Sequence, residues 1–241
     1  MVVLMNLLDI GVVILLIIGF FVGYRQGFTK SLVNCVGLIA AIVLAFLLKD
    51  VVSKFLMLHL PFFNFWGLLK GVSVLNIALY ETLAFVLVLI VLFLVLKILL
   101  TITTVFEKLL SATIILEKPS KLLGGIFGVI KYYDIAFIIM YILALPAFAN
   151  TDLVQESKLQ KPILEHTVVL SMFIDKSLEV YDEFSLIGDK YKEHENVDAY
   201  NFDALNLFLK HDIVKLDTVK ELIGKGKIKI KNVEEIIKNY E

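Results

Sequence analysis

Four stretches of this chain, each roughly 20 residues or more and almost free of charge, constrain it more than any other feature. They run from about Leu4 to Tyr24, Phe28 to Leu48, Leu79 to Leu100 and Leu122 to Phe148. A bilayer core is ~30 Å thick and a helix rises ~1.5 Å per residue, so each stretch is long enough to cross once. Backbone groups find no water inside lipid, so a crossing segment must bond within itself as a helix. The expected fold class is therefore an all-α integral membrane protein with about four transmembrane helices, followed by a small helical extramembrane C-terminal region. The first stretch has no Lys or Arg ahead of it and no small-x-small site behind it, so it reads as a retained anchor rather than a signal peptide.

Charge divides the chain. Residues 1–150 hold 16 charged side chains, whereas residues 151–241 hold 13 Lys against 18 Asp and Glu. The expected organisation is a four-span transmembrane domain over 1–150 and an acidic, amphipathic helical tail over 151–241. An acidic tail offers no basic face to nucleic acid, so the lipid bilayer is the first partner. Cys35 is the only cysteine, which excludes an internal disulfide and a cysteine metal cluster.

Orientation follows from Lys and Arg in short loops. Arg25 and Lys30 lie in the turn after the first span, and Lys108, Lys118 and Lys121 lie between the third and fourth. Both loops are on one side, which is then cytoplasmic, with the N- and C-termini outside. Lys49, Lys54 and Lys70 in the second loop oppose this assignment. That loop also carries Leu60-Pro61-Phe62-Phe63-Asn64-Phe65-Trp66, whose aromatic residues suit the headgroup zone; a re-entrant, pore-lining loop is the alternative.

In the tail, Ile163, Leu170, Ile174 and Tyr181 fall near one face of a helix expected over about Leu159 to Phe184. Three shorter amphipathic pieces follow, marked by Leu205, Phe208 and Leu209, by Val219, Leu222 and Ile223, and by Val233, Ile236, Ile237 and Tyr240. Asp217 is the candidate cap of the second, and Asn232 with Glu235 has the spacing of a capping-box variant in the third. So few residues make a marginal core alone, so this region is expected to lean on something else.

Two residue classes are candidates for function. Gly19, Gly23 and Gly27 repeat every fourth residue, as do Gly124 and Gly128, a spacing that lets helix backbones approach in lipid and would suit a homo-oligomer. Asp9, Lys131 and Asp134 are charges within spans, each costing ~2.5–3.5 kcal/mol at mid-bilayer unless it faces protein, water or an opposite charge. Lys131 and Asp134 are three residues apart and can pair; a polar path for a proton or small solute through Asp9, Lys131 and Asp134 is the functional alternative. Glu81 and Lys97, near helix ends, can snorkel to water. No phosphate loop, nucleophile elbow or metal-ligand spacing occurs, and His59, His166, His194 and His211 are scattered. The expectation is a protein that is not an enzyme and needs no cofactor.

The order of these features resembles the colicin V production protein family of bacterial membrane proteins. The matching residues are Asp9, Gly19, the Gly23-Tyr24-Arg25-Gln26-Gly27-Phe28 turn, then Lys121-Leu122-Leu123-Gly124 with Gly128 and Lys131, and Ser157-Lys158-Leu159. Ser120 stands where the family tends to have an acidic residue, and Tyr132 where a small one often follows the basic residue. The resemblance covers roughly residues 5–165. It implies a bacterial plasma (inner) membrane protein required for production or secretion of a peptide toxin, acting as an accessory component with export or envelope machinery as partner. A small transporter or channel subunit and a membrane scaffold for partner proteins are the alternatives.

Overall fold

The computed structural model describes residues 6–65, 70–110, 117–144, 154, 156–167, 170, 179–180, 183–184, 186–191 and 196–241. The described chain is helical, with no strand among the described residues. Four long helices, α1 (Leu7–Gln26), α2 (Phe28–His59), α3 (Leu75–Leu110) and α4 (Glu117–Ala144), are each long and apolar enough to span a membrane. Four shorter ones follow: α5 (Gln160–His166), α6 (Val197–Lys210), α7 (Leu216–Gly224) and α8 (Val233–Asn239). Trp66, Lys108, Phe173, Ile174, Tyr181, His194 and the end of the fourth apolar stretch at Phe148 lie outside the described residues or side chains.

Hydropathy finds the spans but not the helix lengths. At 32 and 36 residues, α2 and α3 are about 48 and 54 Å long, well beyond the ~30 Å of hydrocarbon. Charged residues such as Lys49, Asp50 and Glu81 end an apolar run without ending a helix. A change of backbone conformation ends a helix, and glycine and proline are the residues that most readily impose one. The first turn of the chain is an example. At Gly27 φ is +76°, a left-handed conformation that breaks α1 from α2 in a single residue.

Packing groups the chain into two compact units. One takes in the described residues of Met1–Leu47, Val86–Tyr141 and Asp152–Phe173, and the other those of Leu48–Phe85, Ile142–Thr151 and Ile174–Glu241. This grouping by contact and the division at residue 150 by charge are different partitions of the chain.

In the second unit, α6–α8 pack against the last turns of α2 and the first turns of α3. The shared core includes Met57, Leu75, Ile77, Tyr80, Phe208 and Leu222, all essentially buried. The tail thus leans on the helix extensions rather than forming a core alone. Buried Asn201 of α6 fixes the seam: its Oδ1 accepts from the Val74 N–H at 3.1 Å and its Nδ2 donates to the Gly71 carbonyl at 3.1 Å. The loop after α2 is tied to the same unit. Phe63 exchanges backbone bonds with the Asn76 side chain at 2.7 and 3.1 Å, and the Tyr80 hydroxyl donates to the Pro61 carbonyl at 2.5 Å. Its described part is held by protein contacts that aromatic composition alone did not suggest.

Four local expectations are corrected. Glu81 does not snorkel: it is buried and holds Lys49 at 2.6 Å, with a second, short bond from the Ser53 hydroxyl. The helix expected from Leu159 stops at His166, where Thr167 turns to ψ 93° and its hydroxyl bonds back to the Ile163 carbonyl. Asp217 lies inside the first turn of α7, whose N-cap position is Lys215. Asn232 occupies the N-cap of α8 at φ +60°, and this left-handed backbone leaves its side chain without a capping bond.

Lysine closes the open end of α2. Lys227 Nζ donates to the carbonyls of Met57 at 2.6 Å and Leu60 at 2.8 Å, and lies 5.4 Å from the centroid of the Phe62 ring. Orphan carbonyls at a helix C-terminus attract such a cation. Lys227→Ala is expected to lower stability by about 1–2 kcal/mol, readable as a lower melting midpoint in mild detergent, while the exposed Lys229→Ala leaves it unchanged.

Candidate functional site

In the first unit, α1 and α4 cross with their backbones in contact. The crossing is antiparallel, with Gly23 against Gly124 and Gly19 against Gly128. A Cβ built on Gly19 would lie 2.8 Å from the Gly128 carbonyl oxygen and 2.7 Å from Tyr132 Cβ. One on Gly128 would lie 2.8 Å from Gly23 Cα, and one on Gly124 would lie 2.5 Å from the Gly23 carbonyl oxygen. No side chain larger than hydrogen fits where backbone meets backbone this closely. Gly27 serves differently, through its positive φ, and Ser120 Oγ stands 3.4 Å from where its Cβ would be.

Polar groups secure the turn beside this crossing. The Ser31 hydroxyl donates to the Gly23 carbonyl at 3.1 Å, and the Phe28 N–H, at the start of α2, donates to Ser120 Oγ at 3.2 Å. An N–H in the first turn of a helix has no partner within that helix, so Ser120 supplies the missing acceptor. Ser120 and Tyr132, the two departures noted above, are therefore both contact residues of the α1–α4 crossing and its turn.

Near the other end of α1, Asp9 is 2% exposed and its carboxylate is fully engaged. Oδ1 accepts from the Ser157 hydroxyl at 2.7 Å and the Leu159 N–H at 3.2 Å, and Oδ2 accepts from the Lys158 N–H at 3.1 Å. Ser157 Oγ in turn accepts from the Gln160 N–H, at 3.2 Å, where α5 begins. A carboxylate taking two successive backbone N–H groups and a hydroxyl replaces much of its lost hydration with charge-assisted bonds. The partner of Asp9 is thus a segment 148 to 150 residues away, and two of its three donors are backbone groups.

Lys131 and Asp134 are not brought together. No ion pair joins them among the described residues; Lys131 Nζ lies 5.9 Å from the Tyr132 ring centroid instead. Asp134 is buried, and its Oδ2 has no hydrogen-bond partner. The two are neighbours in sequence spacing, but Asp134 turns into the bundle while Lys131 stays half-exposed. No hydrogen bond links Asp9 to either, so the three do not form a connected chain. Buried Cys35 on α2 is a residue that sequence reasoning passed over; it lies close enough to Lys131 and Asp134 to interact with both electrostatically. Among the described residues no group of three His, Cys, Asp or Glu side chains is placed to hold a metal ion.

Asp9, the two glycine pairs and the Ser157 segment all fall within residues 8–168, and that stretch matches the colicin V production protein family. The chain belongs to this family. The uncharacterized transmembrane protein YshB of Bacillus subtilis (strain 168) is similar to it, 30% identical over 175 residues that cover 68% of this chain and 93% of that protein. No solved structure matches the chain. The family match ends at residue 168, so α6–α8 lie beyond it. Both ends of the Asp9 clamp and both sides of the glycine crossing lie inside it.

Proposed function

We propose that this chain is a non-enzymatic accessory component in the production or export of a peptide toxin, seated in a bacterial plasma membrane. Family membership carries the reading. What supports its accessory character is the use of the site's polar groups: the Asp9 carboxylate, Ser31, Ser120 and Ser157 hold helices and turns to one another. The multi-span body then acts as a scaffold for export or envelope machinery. Full-length protein isolated in mild detergent from a toxin-producing strain should bring down components of an export machine, and a deletion strain should secrete less toxin. Unchanged secretion on deletion sinks this reading.

One observation favours a second reading, a small transporter or channel subunit: the unpartnered, buried oxygen of Asp134 within a span. Proteoliposomes carrying the wild type but not Asp134→Asn would then show proton-dependent flux. Equal, background-level flux for both excludes it.

For orientation, we infer that the Arg25–Lys30 turn and the α3–α4 loop face the cytoplasm, with both termini outside. In a Cys35→Ser background, a cysteine at Lys190 should react with an impermeant thiol reagent in intact cells and one at Gln26 should not. The reverse pattern inverts the topology.

A further inference from the structure

Lys131 stands midway across α4, and among the described residues no carboxylate pairs with it. Lys121 marks the edge of the apolar stretch. Lys131 lies about 15 Å farther along the helix at ~1.5 Å per residue, which is the middle of a ~30 Å hydrocarbon core. A side chain of four methylenes is shorter than that depth, so snorkelling does not carry its ammonium to the headgroups. Within the chain the ammonium meets the Tyr132 ring, 5.9 Å from its centroid, and the neighbourhood of Cys35. A ring face attracts a cation without cancelling its charge, and a thiol brings no charge of its own. Asp134, three residues on, is 4% exposed and turned the other way.

A charge at this depth has to face protein, water or an opposite charge. Phe127, Lys131 and Ile135, four residues apart and each half-exposed, form a strip along α4 that is flanked by exposed Ile126 and Ile130. The strip is apolar except for one cation at mid-bilayer. Such a surface fits an apolar helix that carries one carboxylate at the same depth, because a charge-assisted bond gains most where water is excluded.

A second copy of this chain does not supply that carboxylate. Asp9 and Asp134, the acidic residues described deep in its spans, are both buried, and Asp9 already accepts three bonds. Pairing the strip with itself across a two-fold axis would set two ammoniums against each other. We propose that this strip of α4 docks a transmembrane helix of another membrane protein, whose carboxylate at mid-bilayer pairs with Lys131. The proposal concerns how a partner is held, and stands whether or not that partner belongs to toxin export.

The test reconstitutes full-length protein in phosphatidylcholine vesicles with a synthetic probe, a lysine-flanked leucine helix of about 20 residues bearing Asp, Asn or Leu at its centre. Energy transfer from a dye on the protein to one on the peptide reads association, at a peptide density where the peptides do not self-associate. The Asp peptide should bind about tenfold more tightly than the Asn and Leu peptides, the effect of one charge-assisted bond in lipid. Lys131→Met should erase the difference and Lys131→Arg should keep it. Lys97→Met, near the end of its apolar stretch, should leave it unchanged. Isolated Lys131→Met should melt no lower than the wild type, since it removes an unpaired charge from hydrocarbon; this separates lost docking from lost folding. Equal binding of the Asp and Asn peptides, or an undiminished preference in Lys131→Met, overturns the proposal. A lower melting midpoint for Lys131→Met does so too, by placing the partner of Lys131 inside its own chain. So does loss of the wild-type preference in phosphatidylglycerol vesicles, which would make an anionic lipid the counter-charge.

Discussion

Gly23→Ala should be among the most damaging single-methyl changes in this protein, and Gly11→Ala on the same helix among the least. A Cβ at Gly23 meets the backbone of α4, 2.7 Å from Gly128 Cα and 2.9 Å from Gly128 N. Backbone cannot rotate away as a side chain can. The helices must separate along the whole crossing, so Gly19 and Gly124 lose their contacts too. Overpacking typically costs about 1–3 kcal/mol where side chains can yield, and the upper end or beyond is expected here. Around Gly11 nothing lies within 4 Å, and alanine favours helix over glycine by about 0.5–1 kcal/mol, so that change should be neutral or slightly stabilising. Gly125→Ala is an intermediate case, because its Cβ would meet Phe20 Cε2 at 2.7 Å, the far end of a ring that can turn. The order of melting midpoints in detergent should be Gly11→Ala, then Gly125→Ala, then Gly23→Ala, with Gly128→Leu failing to accumulate and Ile126→Leu, on an exposed position, behaving as wild type. Matching midpoints for Gly23→Ala and Gly11→Ala would show that the backbone contact contributes nothing.

The glycine repeats were legible in the sequence because their four-residue spacing is itself the physical requirement for a flat helix face. Which helix meets which was not: Gly19 and Gly23 could have faced lipid, another copy or any of three helices. The spans were legible because hydrocarbon leaves few options. The extensions of α2 and α3 were not, because a helix continues through Lys49, Asp50 and Ser53 as readily as through leucine once Glu81 and the tail receive them. Spacing misled at Lys131 and Asp134, where three residues apart permits a pair but does not make one when one side chain turns inward. The Asp9 clamp illustrates a different limit. The cost of its charge was evident from position, yet Lys158 and Leu159 act through backbone N–H groups that every residue but proline carries. Ser157 followed by an apolar helical stretch has the look of a cap, and that was the available signal.

The second large effect expected is at that clamp. Asp9→Ala removes the acceptor of three bonds at once and strands the Ser157 hydroxyl and the Lys158 and Leu159 N–H groups around a small cavity. Hydrogen bonds to a charged group contribute about 1.5–3 kcal/mol each, and they are not additive within one cluster, so a loss of roughly 3–5 kcal/mol is expected. Asp9→Asn should lie between, because the amide keeps one acceptor oxygen but turns an N–H toward donors that need an acceptor. Ser157→Ala removes one donor and the acceptor for Gln160, at a cost of about 1–2 kcal/mol. In the double variant Asp9→Ala/Ser157→Ala the losses should sum to less than the two singles, since the Ser157 hydroxyl is no longer left without its partner. A cysteine placed at Lys158 in the Cys35→Ser background reports the local consequence directly: its labelling should accelerate in Asp9→Ala before global melting begins. Wild-type stability and labelling in Asp9→Ala would leave the clamp without structural weight. If Asp9→Asn were instead as stable as the wild type yet failed to restore a deletion strain, the carboxylate would have to act in something other than holding the Ser157 segment, and the transporter reading would gain the residue that the structure now assigns to packing.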